Sequence, residues 1–174
     1  AFAGCKRLKN VEIPASCVEI DDSAFHRCEQ LQDEAGFVIW GSVLHSYCGK
    51  DPKIVVPPGV TRVGAHSFSY TYYPEEVVLP EGVITIGDCA FSSIDTLRSI
   101  VIPDSVKMLS SNLLKSSEDF WGDMPLKKLV IGAGVADINV DMILQSVGRD
   151  GTKDISFTVE VDNADEAVEI IERH

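Results

Sequence analysis

No stretch of this chain approaches the run of about 18 uninterrupted apolar residues that a membrane-spanning helix needs, so insertion into a bilayer is not expected. Positive charge is also scarce. Lys and Arg number 15 against 27 Asp and Glu, a net charge of −12 over 174 residues. Such a surface repels a phosphate backbone, which removes nucleic acid from the expected partners. Disorder is excluded from the other direction, because 45% hydrophobic residues against 24% charged is enough to bury a core. The five cysteines, Cys5, Cys17, Cys28, Cys48 and Cys89, are an odd number with no close CxxC pair, unlike zinc or redox sites. They read as small buried hydrophobes. An initiator Met and a charged-then-apolar leader are absent as well, which reads as a processed product or an excised fragment.

Catalytic and metal-binding patterns are missing too. His26, His45, His66 and His174 have no metal-spaced partner and no GxSxG or Cys-His signature beside them, and read as surface or turn residues. Gly132-Ala133-Gly134 begins like a dinucleotide loop but lacks its third glycine. The acidic pairs Asp21-Asp22, Asp33-Glu34, Glu75-Glu76 and Glu118-Asp119 fit no EF-hand spacing and read as solvated loop carboxylates. Neither an enzyme activity nor a cofactor nor a metal is expected.

What the chain has is a repeat. Aligned on Pro14, Pro57, Pro80, Pro103 and Gly132, the middle three anchors stand 23 residues apart. Three residues before each anchor come Val11, Ile54, Val77, Ile100 and Leu129, and one before come Ile13, Val56, Leu79, Ile102 and Ile131. Three after come Cys17, Val60, Val83, Val106 and Val135; six after come Ile20, Val63, Ile86, Leu109 and Ile138. Every slot is apolar. Two after the anchor stand Ser16, Gly59, Gly82, Ser105 and Gly134, and seven after stand Asp21, Gly64, Gly87, Ser110 and Asn139, residues that permit a turn. Eleven after come Phe25, Phe68 and Phe91, each behind a small residue. Leu113-Leu114 and Met142-Ile143 take those slots later and point to a more helical return path.

This pattern predicts an α/β solenoid. Each repeat supplies a short strand at its Val-x-Ile position, and the strands stack in parallel at about 4.8 Å into one curved sheet over one core. Segment 37–47, with two apolar runs around Trp40-Gly41-Ser42, reads as a β-hairpin inserted at about 33–50. The solenoid is expected over 1–138 and a C-terminal cap over 139–174, where the charge shifts to 3 basic and 10 acidic residues beyond 136. In that cap 155–161 alternates like a strand, with Val159-x-Val161 as the added rung. Asn163 and Glu166 form a capping box, and Ala164, Ala167, Val168 and Ile171 share one helical face. The same segment also reads as the start of a second domain.

The fragments AFAGCKRLKNVEIP, SAFHRCEQL and VVPPGVTRVGAHSF resemble the BspA-like (treponemal-type) leucine-rich repeat family, whose unit runs Ala-Phe, Cys, Leu, then Val-x-Ile-Pro, Val and Ile. The resemblance covers roughly residues 1–138 and departs in later units, where Thr71, Ile94 and Ser117 replace the Cys and Pro74 and Phe120 the Leu. It implies further repeats before Ala1-Phe2, which sit mid-unit. It also implies a buried Cys slot, so Cys5 and Cys28 are expected as neighbouring free thiols. It implies further a non-enzymatic protein-binding module of a bacterial surface or secreted protein, acting in adhesion to host or neighbouring-cell proteins. A structural spacer or an accessory domain of a larger surface protein or enzyme are the alternatives, and the family also occurs in parasitic protists.

Two surfaces are candidate binding sites. The middle residues of the strands, Glu12, Val55, Val78, Val101 and Val130, face outward, and consecutive outward valines are unusual on a one-sided sheet. A polar column, Asn10, Lys53, Glu76, Ser99 and Lys128, borders them. The second surface is the aromatic cluster Tyr70, Tyr72 and Tyr73, with Trp40 and Trp121 in or beside insertions.

Overall fold

The computed structural model describes residues 2–17, 19–110, 112–114, 126–135 and 156–159. Met142-Ile143, Trp121, His174 and the helix expected after Asn163 lie outside them.

The Val-x-Ile positions become strands where a β-branched triplet meets its equivalent one repeat away. Lys53–Val55 (β3), Glu76–Val78 (β5), Ser99–Ile102 (β7) and Lys128–Ile131 (β9) pair in parallel, and Ser156–Val159 (β10) adds to β9. Lys53, Glu76, Ser99 and Lys128 stand level, as do Ile54, Val77, Ile100 and Leu129. The register of β10 sets Phe157 and Val159 level with Leu129 and Ile131, two residues earlier than the rung read from the sequence.

The single sheet expected is corrected to two. A second sheet, also five-stranded, runs in the order β1-β2-β4-β6-β8. Its strands are Phe37–Trp40 (β1), Val43–Tyr47 (β2), Arg62–Val63 (β4), Thr85–Ile86 (β6) and Met108–Leu109 (β8). The slot six after Pro57, Pro80 and Pro103, held by Val63, Ile86 and Leu109, is therefore more than a core contact: its backbone is extended and pairs in parallel from repeat to repeat. Strands β1 and β2 pair antiparallel with a bulge at Val38/Ile39. Strand β2 then continues in parallel with β4, so Leu44 takes a rung beside Val63.

A second correction concerns the first repeat, where Val11–Ile13 forms no strand. The hairpin supplies a rung next to β4 in one sheet but none next to β3 in the other, and without a level partner the triplet has no ladder to join. The core divides accordingly. The large cluster runs from Phe37 and Leu44 to Leu129 and Ile131, drawing on both sheets, while Ala24, Phe25, Cys28 and Val38 form a smaller one. His45 stands at the boundary, its ring edge-on to Phe25 at 5.3 Å.

The turns explain the glycine columns in two ways. In four repeats the residue three after the anchor donates its N–H to the anchor's carbonyl, as with Val83 to Pro80 at 3.4 Å and Val106 to Pro103 at 3.2 Å. Gly82, inside that turn, has φ +106, where a side chain is strained. Gly87 is needed for space instead, since a Cβ there would stand 2.8 Å from the Ala65 nitrogen. Phe68 and Phe91 stack at 5.0 Å, and Tyr47 extends the column at 6.0 Å from Phe68, so the hairpin also supplies a ring. The family slots Thr71, Pro74, Ile94 and Leu97 are all buried.

Candidate functional site

Alternation along a strand sends the middle residue of each triplet away from the core. On the β3-β5-β7-β9 face Val55 is 59% exposed and Val101 36%, with Val78 half-buried between them. Val130 is the exception. It is only 8% exposed, standing between β7 and β10 level with Val101 and Thr158, so the expected strip of four ends after three. Beside it, the Lys53 ammonium meets the Glu76 carboxylate at 2.9 Å, while Ser99 is half-buried and Lys128 exposed. One residue before Ser99 and Glu76, Arg98 pairs with Glu75 at 3.5 Å. Both bridges are solvated, so they set the charge pattern more than the stability.

The tyrosine loop lies elsewhere. Tyr70, Tyr72 and Tyr73 are 40%, 62% and 48% exposed, and Tyr70 adopts a left-handed φ of +59. Pro74 turns inward behind them, buried in the family's Leu slot, which holds the three rings at the surface. They border an open cleft of about 230 Å³. Two cations sit on the rings: the Arg27 guanidinium is 5.6 Å from the centre of Tyr70, and the Lys50 ammonium 5.9 Å from that of Tyr73. Lys6 lines the same cleft and pairs with Glu29 at 3.1 Å. Sequence reading missed Arg27 and Lys50. Arg27 does carry a signal, since it stands two after Phe25 as Tyr70 stands two after Phe68, and both share the left-handed backbone.

Trp40, 43% exposed, ends the first hairpin strand, with Ile13, Pro14 and Cys17 of the first repeat across a separate cleft. Ile84 and Met108 are exposed on the other sheet's side, also unforeseen. Alternation over two-residue strands is too short to show.

The histidines need correcting. His45 is 1% exposed, its Nδ1 2.9 Å from the Asp22 carbonyl, and burial lowers its pKa. His26 is half-buried against His66, ring centres 5.8 Å apart, with its Nδ1 lacking a partner. Burial, then the neighbouring His66 and Arg27 charges, pushes His26 down to about 4. His66 is a turn residue with φ +60. Among the described residues no group of three His, Cys, Asp or Glu is placed to hold a metal ion.

No disulfide joins any of the five cysteines, but they are not uniformly buried. Cys28 is buried and donates to the Phe2 carbonyl at 3.1 Å, and Cys48 and Cys89 are half-buried. Cys5 and Cys17 are exposed. Cys5 lies at the outer end of the described stack, and Cys17 follows the triplet that joins no ladder, so neither has a rung above it.

Two parallel stacks with level apolar rungs, turns at fixed offsets and a ring column define a leucine-rich-repeat fold. The chain belongs to the BspA-type leucine-rich repeat family, whose model, a "BspA type Leucine rich repeat region (6 copies)", matches residues 1–120 and 39–142. A leucine rich cell surface protein from Faecalibacterium prausnitzii A2-165 is similar in structure, with a TM-score of 0.54 at 21% identity over 93% of this chain. The pneumococcal vaccine antigen PcpA aligns over 75% of the chain at 18% identity, TM-score 0.43. The chain spans 50% and 42% of the lengths of those two. A comparison with curated proteins finds no match. Among the described residues no helix is long and apolar enough to cross a membrane.

Proposed function

We propose that this chain is a non-enzymatic protein-binding module of a bacterial surface or secreted protein, acting in adhesion to host or neighbouring-cell proteins. It is a solenoid of 23-residue units over 1–138, interrupted by the hairpin insertion at about 33–50 and closed by a cap over 139–174. The observation that carries the reading is the outward apolar strip Val55, Val78 and Val101, beside a border where Lys53, Glu76, Ser99 and Lys128 alternate in character. Solvated sheet faces ordinarily place polar residues there. The strip is about 10 Å long, two strand spacings, so it serves as the apolar centre of a larger contact. Family membership and the likeness to a cell surface protein support a place outside the cell.

The test is a double substitution, Val78→Lys with Val101→Lys, assayed against a partner recovered by pull-down. Both residues project outward, so the melting temperature should hold within a few degrees while two ammonium groups must be desolvated at the contact centre. Retained binding would remove the strip from the site. A spacer, by contrast, would recover no saturable partner at all.

A further inference from the structure

We propose that the cleft beside the tyrosine loop receives an acidic peptide segment of the partner; this rests on the protein-binding reading above and adds the chemistry of what is bound. Three cations, Lys6, Arg27 and Lys50, line the cleft, against the single carboxylate of Glu29. That balance is the reverse of the whole chain, which carries −12. Glu29 is engaged by Lys6 at 3.1 Å. Arg27 and Lys50 have no carboxylate within ion-pair distance among the described residues, and lie on tyrosine faces instead.

A cation held over a ring stays beside the cleft wall without spending its N–H donors on a carboxylate, so Arg27 and Lys50 keep donors available to a bound group. The serine and threonine hydroxyls in the cleft wall are already committed. Ser69 donates to the Cys89 carbonyl at 2.7 Å, and Thr71 to the Phe68 carbonyl at 2.7 Å. What remains open is therefore two cations that only donate, beside tyrosine hydroxyls that donate or accept. A carboxylate meets the cations, since ionised Asp and Glu only accept and carry the opposite charge, whereas a neutral sugar brings no charge to match them. A cleft of about 230 Å³ accommodates one or two side chains, not a folded domain. Acidic side chains also bring methylenes to lay against the exposed tyrosine rings. The net negative charge elsewhere works against indiscriminate uptake of acidic chains and confines attraction to this cleft.

The probe is a fluorescein-labelled octaglutamate peptide, titrated with the full chain at low ionic strength and followed by anisotropy. Octaglutamine and a heparin-derived octasaccharide serve as the neutral and the polyanionic glycan arms. Saturable binding of octaglutamate is expected, weakening as salt is added. It should fall about tenfold or more in Arg27→Gln with Lys50→Gln, both exposed side chains, and also in Tyr72→Ala. It should persist in Val78→Thr with Val101→Thr, which leaves charge unchanged. Equal binding of octaglutamine, binding of the saccharide without the peptide, or undiminished affinity in the Arg27/Lys50 variant would each overturn the proposal. The two readings fail separately. Absence of peptide binding, with a recovered partner still lost on substituting the valines, removes the acidic segment alone. Peptide binding with the partner indifferent to the valines removes the strip and leaves the cleft.

Discussion

Val55 and Val130 hold the same place in their repeats, yet one is 59% exposed and the other 8%, so a single substitution made at each site should give two different answers. Aspartate is the useful probe, being too short to extend its charge back to water. At either position it forfeits valine's strand preference, about 1 kcal/mol at most. At Val55 little else changes, because the carboxylate stays solvated and Lys53 lies two residues away on the same face. At Val130 the loss of apolar burial adds about 1.5 kcal/mol, and an unpaired buried carboxylate about 2 kcal/mol or more. The expected losses are about 1 kcal/mol for Val55→Asp and about 4.5 kcal/mol for Val130→Asp. In a domain of this size those correspond to drops of about 3 °C and about 13 °C in melting temperature. Urea unfolding followed by circular dichroism measures both. Losses agreeing within about 0.5 kcal/mol would show that the fourth valine is as open as the first, and would refute the argument that the strip ends at Val101.

Three further outcomes are expected. Phe68→Ala removes a fully buried ring stacked on Phe91, and should cost about 3–5 kcal/mol by chemical denaturation; a loss below about 1 kcal/mol would mean that the ring column carries no stability. Acidification should destabilise the fold through His26, which is held near 4 when folded and titrates at about 6.5 when unfolded. Its contribution is complete above pH 6.5 and disappears as pH falls to about 4, because only the unfolded chain takes up a proton in that window. The separation is worth about 3 kcal/mol unscreened, and partial exposure reduces it to about 1–2 kcal/mol. His26→Gln should flatten this part of the melting temperature profile, and an unchanged profile would assign the dependence to other groups, buried His45 first. Finally, thiol titration should find Cys5 and Cys17 reactive in the native protein and Cys28 slow, because burial raises its pKa. Five thiols should appear on denaturation without reductant, and three would expose a disulfide.

The repeat, the family and the parallel pairing of the Val-x-Ile triplets were legible from residue type and spacing, because each depends on a short-range rule applied again one unit later. Turn residues had to permit bends at fixed offsets, and rungs had to be apolar on alternate positions. The second sheet was not legible. Pairs such as Arg62-Val63 and Thr85-Ile86 are too short to show alternation, and become strands only when a neighbour stands level to share backbone hydrogen bonds. Val11–Ile13 shows the converse: its residues match the pattern, and without such a neighbour it stays unpaired. The same distinction governs the surfaces. Sequence alone located Val55, Val78, Val101 and the three tyrosines, since strand parity and loop position decide which way a side chain leaves the backbone. Only the fold decided that Val130 is covered, and that Arg27 and Lys50, 23 residues apart in the chain, lie on tyrosines of one cleft. Burial and charge pairing depend on what stands nearby in space, and that proximity is created by stacking one repeat on the next.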